Sequence, residues 1–323
     1  MAVGFPLEAR RGFTWWGIPS VAGAFDTTGG GPYYMGIADF PRLLHDSGTR
    51  GILSIGSWRP FINKQFAGRD EGGIRLTLSS GTPGLNNSSP VEFLRRCVRY
   101  CDGPAFADQY GYMIIGGGIG QEGDNGFYWT QSGARATRVN MTAAANQALT
   151  VDVDWWALYP WQGELAAASH LNEFTGAAND PFMWYDSSIW LSGVVGDGTY
   201  SFAQKAEFWS CRVAQDARRV HTLGGATSFP TVSYGRGARF IVPNVQQDIR
   251  ISIRWLQPEV AAWTLNNFTP YNLACWFFDG VNSLVVTGMY CEPAQKSIGP
   301  SSPSDYLRMP IEYVPLYVKI ASI

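Results

Sequence analysis

The strictest constraint in the chain lies at residues 248–255, where Ile249, Ile251, Ile253 and Trp255 alternate with Arg250, Ser252 and Arg254. A period of two sends successive side chains to opposite faces of an extended strand, so this segment needs one dry face and one wet face. Wound as a helix, the same residues would scatter the isoleucines around the circumference. Residues 73–79 repeat the pattern, with Ile74, Leu76 and Leu78 set against Arg75, Thr77 and Ser79.

Other segments follow the same reading. Residues 51–58, 110–115, 127–130, 273–278, 283–290 and 311–320 are apolar, β-branched or aromatic runs bounded by turn residues, and 181–190, 199–213 and 230–243 extend the series. The clearest helix is expected over residues 89–101. Ser89 and Glu92 have capping-box spacing, Pro90 suits a first turn, and Val91, Leu94, Val98 and Cys101 form an apolar stripe opposite Arg95, Arg96 and Arg99. Shorter helical pieces are expected at residues 42–48, after Pro41, at the Ala-rich 141–150 and at 165–174. Glycines at 116, 117, 118, 120 and 123 have neither the Lys nor the Ser/Thr of a phosphate-binding loop, and a tight turn is expected there. Pro310 and Pro315 favour a sheet edge or an extended terminal arm over a central strand.

Many strands, few helices and irregular connections predict a mainly β chain, a jelly-roll-like antiparallel sandwich with a few short helices and long loops. Residues 1–323 are expected to form one elaborated β-sandwich domain; a split into two β domains near 150–180 is the alternative.

Only 15% of residues are charged, against roughly 25% in an ordinary soluble domain, and the formal net charge is -2. No global field draws the chain to nucleic acid or anionic membrane. Thirteen Trp, 15 Tyr and 18 Phe exceed what one core of this length absorbs, and aromatics are favoured at interfaces. Self-association explains both features, with carbohydrate stacking as the competing reading. The five cysteines, Cys97, Cys101, Cys211, Cys275 and Cys291, lack the spacing of a disulfide framework or a zinc site, so free buried thiols made in a reducing compartment are expected. The first residues carry no apolar signal core, no run is long enough to span a membrane, and no cofactor or metal motif is present.

The densest aromatic block runs from Asp152 through Asp154, Trp155 and Trp156 to Trp161, with Glu164 beyond it. Carboxylates beside flat rings are what a glycoside hydrolase or a carbohydrate-binding module would use. Asp152 and Asp154, however, lie on one side of a strand and point the same way rather than across a scissile bond. These six residues are candidates for ligand or interface contact, with no catalytic assignment. Arg95, Arg96 and Arg99 are candidates for weak phosphate contact. His45, His170 and His221 match no metallohydrolase spacing, and there is no nucleophile elbow.

The turn-rich aromatic strands, the capped helix at 89–101, the strand at 248–255 and the terminal PIEYVPLYVKI together resemble the jelly-roll capsid proteins of non-enveloped viruses. That resemblance implies a structural subunit of a virus particle, assembled in host cytoplasm. Its partners would be copies of itself, other virion proteins, and a host receptor or glycan at the outer loops. Only Arg10 and Arg11 stand close together near the N-terminus, so nucleic-acid contact is expected to be weak or indirect.

Overall fold

The computed structural model describes residues 12–18, 33–34, 37–39, 41–46, 49–52, 62–65, 69–79, 90–101, 110–119, 127–157, 159–162, 180–193, 199–201, 206–221, 239–255, 271–280, 282–297, 299–300 and 307–322. These are overwhelmingly strand. The first half carries β1 (Gly12–Gly17), β2 (Tyr33–Tyr34), β3 (Ile37–Ala38), β4 (Arg42–Asp46), β5 (Thr49–Ile52), β6 (Ile62–Gln65), β7 (Arg69–Thr77), helix α1 (Pro90–Cys97), β8 (Met113–Ile119), β9 (Phe127–Ala144) and β10 (Thr150–Ala157). The second carries β11 (Tyr159–Gln162), β12 (Ser187–Gly193), β13 (Thr199–Ser201), β14 (Ala206–His221), β15 (Arg239–Trp255), β16 (Tyr271–Phe278), β17 (Ser283–Lys296), β18 (Gly299–Pro300), β19 (Leu307–Val314) and β20 (Tyr317–Ser322). Among the described residues the pairings are antiparallel, and all strands except the β5–β6 pair join one hydrogen-bonded network.

Three stretches of sheet organise that network. A broad central one runs β4–β7–β10–β9–β14–β15–β19. A second runs β13–β12–β16–β17–β20, and a third runs β2–β1–β8–β9–β11. Long strands pass between them. The first half of β9 pairs with β8 and its second half with β10 and β14. Ile114 lies opposite Ser132 and Met113 opposite Ala134, leaving Gly133 as the extra residue at φ 65°. A glycine in the left-handed region is what this type of bulge requires, and the bulge bends β9 from one sheet into the next.

The alternating segments fall where their periods put them. Ile249, Ile251, Ile253 and Trp255 are buried in β15, and Ile74 and Leu76 in β7. Trp209 on β14 meets Phe277 on β16 with ring centroids 5.5 Å apart, which carries the core from the central sheet to the second one. Cys97, Cys101, Cys211, Cys275 and Cys291 are all free and buried. Helix α1 ends at Cys97, short of the expected 101, and buries Val91, Phe93, Leu94 and Cys97; Val98 and Cys101 are buried too, but in the turn that follows, where Tyr100 takes φ 58°. Ser89, its expected cap, lies outside the described residues.

Two glutamines, Gln215 buried and Gln247 half-buried, hold the end of the helix and the turn after it. Gln215 of β14 donates from Nε2 to the Cys97 carbonyl at 2.6 Å and accepts the Arg99 N–H at 2.8 Å. Gln247 of β15 donates to the Arg99 carbonyl at 3.1 Å. The Cys97 carbonyl is one of those that a helix C-terminus leaves without an intrahelical partner, and the two Arg99 contacts secure the turn that follows. Gln215→Leu keeps the volume but removes the bonds to the Cys97 carbonyl and the Arg99 N–H, and is expected to cost about 2 kcal/mol in urea unfolding, with faster amide exchange confined to α1 and the turn after it.

Four expectations are corrected. Residues 42–46 form β4, not a helix: a segment this short gains little as an isolated helix, whereas β7 offers it a complete ladder. Residues 141–150 are the end of β9, a turn and the start of β10, with Asn146 at φ 60° in the turn. Alanine's helical preference is a fraction of a kcal/mol per residue, and here β9 is flanked by β10 and β14, with Met141 and Ala143 buried. Gly116, Gly117 and Gly118 belong to β8 rather than to a turn, because the Trp15 indole on β1 occupies the space a side chain at Gly116 would need. Pro310 lies in β19, which has β15 on one side and β17 on the other, so it is not in an edge strand. Its carbonyl accepts the Ser297 N–H at 3.2 Å, just past the end of β17. Its nitrogen faces that same side, so the missing donor falls where the ladder has finished. The expected helix at 165–174 lies outside the described residues.

Candidate functional site

The aromatic block becomes β10, in the middle of the central sheet between β7 and β9. Its alternation separates the candidates. Trp155 points inward and is 1% exposed, its indole against Gly72 of the neighbouring strand β7 and its Nε1 donating to Gln131 Oε1 at 2.6 Å. Trp156 points outward and is half-buried, packing against Ile241 as do Tyr112 and Ala217. Trp161 pairs with Thr130 through β11, while Glu164 lies outside the described residues, as does the side chain of Trp161.

Asp152 and Asp154 share the outward face of β10, as their spacing requires. Arg75 grips Asp152 with Nε at 2.8 Å and Nη2 at 3.3 Å. Asp154 accepts Arg42 at 3.2 Å and lies 3.7 Å from Arg138. Hydrogen bonding to Asp152 and the proximity of its charge raise the Arg75 pKa further above its ordinary value. A shallow groove of about 250 Å³ runs between these groups, lined by Asp39, Arg42, Gly73, Ile74, Arg75, Asp152 and Asp154. The same face continues with Arg250 held by Asp248 at 3.0 Å and Glu312 at 2.6 Å, and Glu207 between Arg254 and Arg308. Asp152 and Asp154 thus each have an arginine partner, and among the described residues the Trp on their face of β10, Trp156, is half-buried rather than an exposed platform.

The arginines of α1 and of the turn after it also have protein partners. Arg95 pairs with Glu92 at 2.9 Å, Arg96 donates to the Tyr112 carbonyl, and the Arg99 guanidinium lies 4.5 Å over the Tyr100 ring. Nearby, Arg135 stands over Tyr112 at 4.3 Å and Tyr110 at 5.2 Å and donates to the Ile241 carbonyl at 2.7 Å, fastening β9 to β15. Among the described residues no group of three or more His, Cys, Asp or Glu side chains is arranged to hold a metal ion, and no helix is long and apolar enough to cross a membrane.

The exposed aromatics are elsewhere. Trp190 on β12 and Trp276 and Phe278 on β16 point out from the second sheet, each between buried neighbours: Ile189 and Leu191, Cys275 and Phe277. Sequence reasoning did not single them out. The signal was strand alternation, which marks Trp190 as the odd member of an otherwise inward-facing apolar set.

No protein-family model and no curated protein matches the chain. Among solved structures, a chain from the cryo-EM baseplate of the anti-feeding prophage is 9% identical over 44% of this chain and 95% of its own, with a TM-score of 0.31. That partial correspondence carries no functional argument.

Proposed function

We propose that the chain is a structural subunit of a virus particle, assembling with copies of itself and with other particle proteins. The particle context comes from the sequence's resemblance to jelly-roll capsid proteins. The observation that carries the structural reading is the pairing of Asp152 and Asp154 with Arg75, Arg42 and Arg138. Trp155 is committed to the core, which supports reading β10 as scaffold rather than as a sugar site. A two-layer arrangement of the central and second sheets is the finer fold reading, supported by the Trp209–Phe277 contact.

Negative-stain electron microscopy of the native, size-fractionated protein, with its mass distribution, tests this role. Closed particles or repeating oligomers are the expected result; a uniform monomer at high concentration would overturn it. Asp152→Asn and Asp154→Asn are expected to leave assembly unaltered. Loss of a glycan-cleaving activity in either variant would favour the hydrolase reading instead.

A further inference from the structure

The outer faces of the two larger sheets differ in kind. That of the central sheet is a ladder of arginines and carboxylates. That of the second sheet presents Trp190, Trp276 and Phe278, 38%, 37% and 44% exposed, with Ser188, Ala274 and Thr287 between them in register. Towards the far end of β17 a bulge places Tyr290 at φ 53°, its N–H donating to the outward Asn272 Oδ1 at 3.2 Å. The Tyr290 ring lies 6.4 Å from that of Tyr317, beside Leu316, which is 70% exposed. Among the described residues on this face of β12, β16, β17 and β20, from Ser283 to Met289 and Tyr317 to Ala321, Lys319 is the one charged group. Trp190 is also held in place, its Nε1 donating to Ser188 Oγ at 2.9 Å.

We infer that this face is the contact surface for a second copy of the same chain, packed face to face about a two-fold axis. The inference rests on the structural-subunit reading and gives it one specific contact. The area fits. An aromatic side chain carries about 150–250 Å², so Trp190, Trp276, Phe278, Tyr290 and Leu316 at their observed exposures present on the order of 400 Å². A standard interface takes about 800 Å² from each partner, a little over half of it apolar. The strip therefore supplies about the apolar share that one side of such an interface needs.

Charge decides what lies opposite. A surface that meets itself cannot carry a strong field of one sign, and this one is nearly uncharged. Head-to-tail stacking would press the aromatic strip onto the arginine–carboxylate ladder, stripping water from ion pairs such as Arg250–Glu312 with nothing to replace it. Nucleic acid would find no phosphate-binding groups here beyond Lys319. Apolar against apolar leaves both costs unpaid.

Sedimentation velocity across a concentration series tests the contact, using the full chain, Trp276→Lys, Leu316→Glu and Arg250→Ala. Trp276→Lys is expected to weaken association by about 100-fold or more, because a two-fold contact receives the change twice. Leu316→Glu alters a protruding side chain with little packing of its own, so it serves should Trp276→Lys fail to fold, as checked by circular dichroism. Arg250→Ala is expected to associate like the parent. Association unaffected by both strip variants would overturn this contact while leaving the subunit reading standing. Dissociation caused by Arg250→Ala would point to head-to-tail stacking and overturn the two-fold. A parent chain that stays monomeric throughout would overturn both.

Discussion

Trp155→Ala is expected to lower the unfolding free energy by about 4 kcal/mol, the upper range for deleting a fully buried large side chain. The indole lies over Gly72, its direct cross-strand partner, and its N–H is satisfied by Gln131. Truncation therefore opens a cavity above a residue that has no side chain to fill it. It also removes the 2.6 Å hydrogen bond to Gln131, a side chain only 4% exposed. Trp155→Phe separates the terms: most of the ring remains, the N–H is lost, and about 1–2 kcal/mol is expected. The glycine gives the complementary test. A Cβ at Gly72 would collide with Cε2 and Cζ2 of the indole, so Gly72→Ala should destabilise the parent by about 1–3 kcal/mol, yet cost much less on the Trp155→Ala background. A urea-unfolding double-mutant cycle measures that coupling. Independent, additive losses would contradict the stacked geometry.

This pair also marks the limit of what the sequence reveals. Local periodicity sufficed for β7 and β15, because their inward residues declare themselves every second position. It also placed Asp152 and Asp154 on one face of β10. What it could not supply is the partner strand. Trp155 beside carboxylates looks like a sugar platform until Gly72, far away in sequence, is found beneath it. Gly116 looks like a turn until Trp15 is found above it. Arg42, Arg75 and Arg138 likewise come from β4, β7 and β9, so the neutralisation of Asp152 and Asp154 is a property of strand order alone. The Ala-rich 141–150 failed for the opposite reason: a weak local preference was legible and the stronger ladders on both sides of it were not.

A second large effect is expected at alkaline pH. Burial pushes the thiols of Cys97, Cys211 and Cys275 far above their ordinary range and Cys291 up to about 12. In the unfolded chain the same groups ionise near pH 8.5. Above that pH the unfolded chain releases protons that the native chain still holds, so stability falls as pH rises; below it both states are protonated and the effect vanishes. Each such thiol contributes a slope of about 1.4 kcal/mol per pH unit, and the four together about 5 kcal/mol per unit. Buried Tyr313, raised by desolvation and then by nearby Cys291, adds in the same direction above about pH 10. A domain with typical stability of about 5–15 kcal/mol would then lose its fold somewhere from about pH 9.5 to about pH 11. Urea midpoints at pH 8, 9 and 10 under a phosphine reductant measure the slope. Cys211→Ala should make it shallower by about one thiol's share, 1.4 kcal/mol per unit, whatever it costs in packing at pH 7. Stability that holds level from pH 8 to 10 would mean that the thiols reach water in the native state, contrary to their burial.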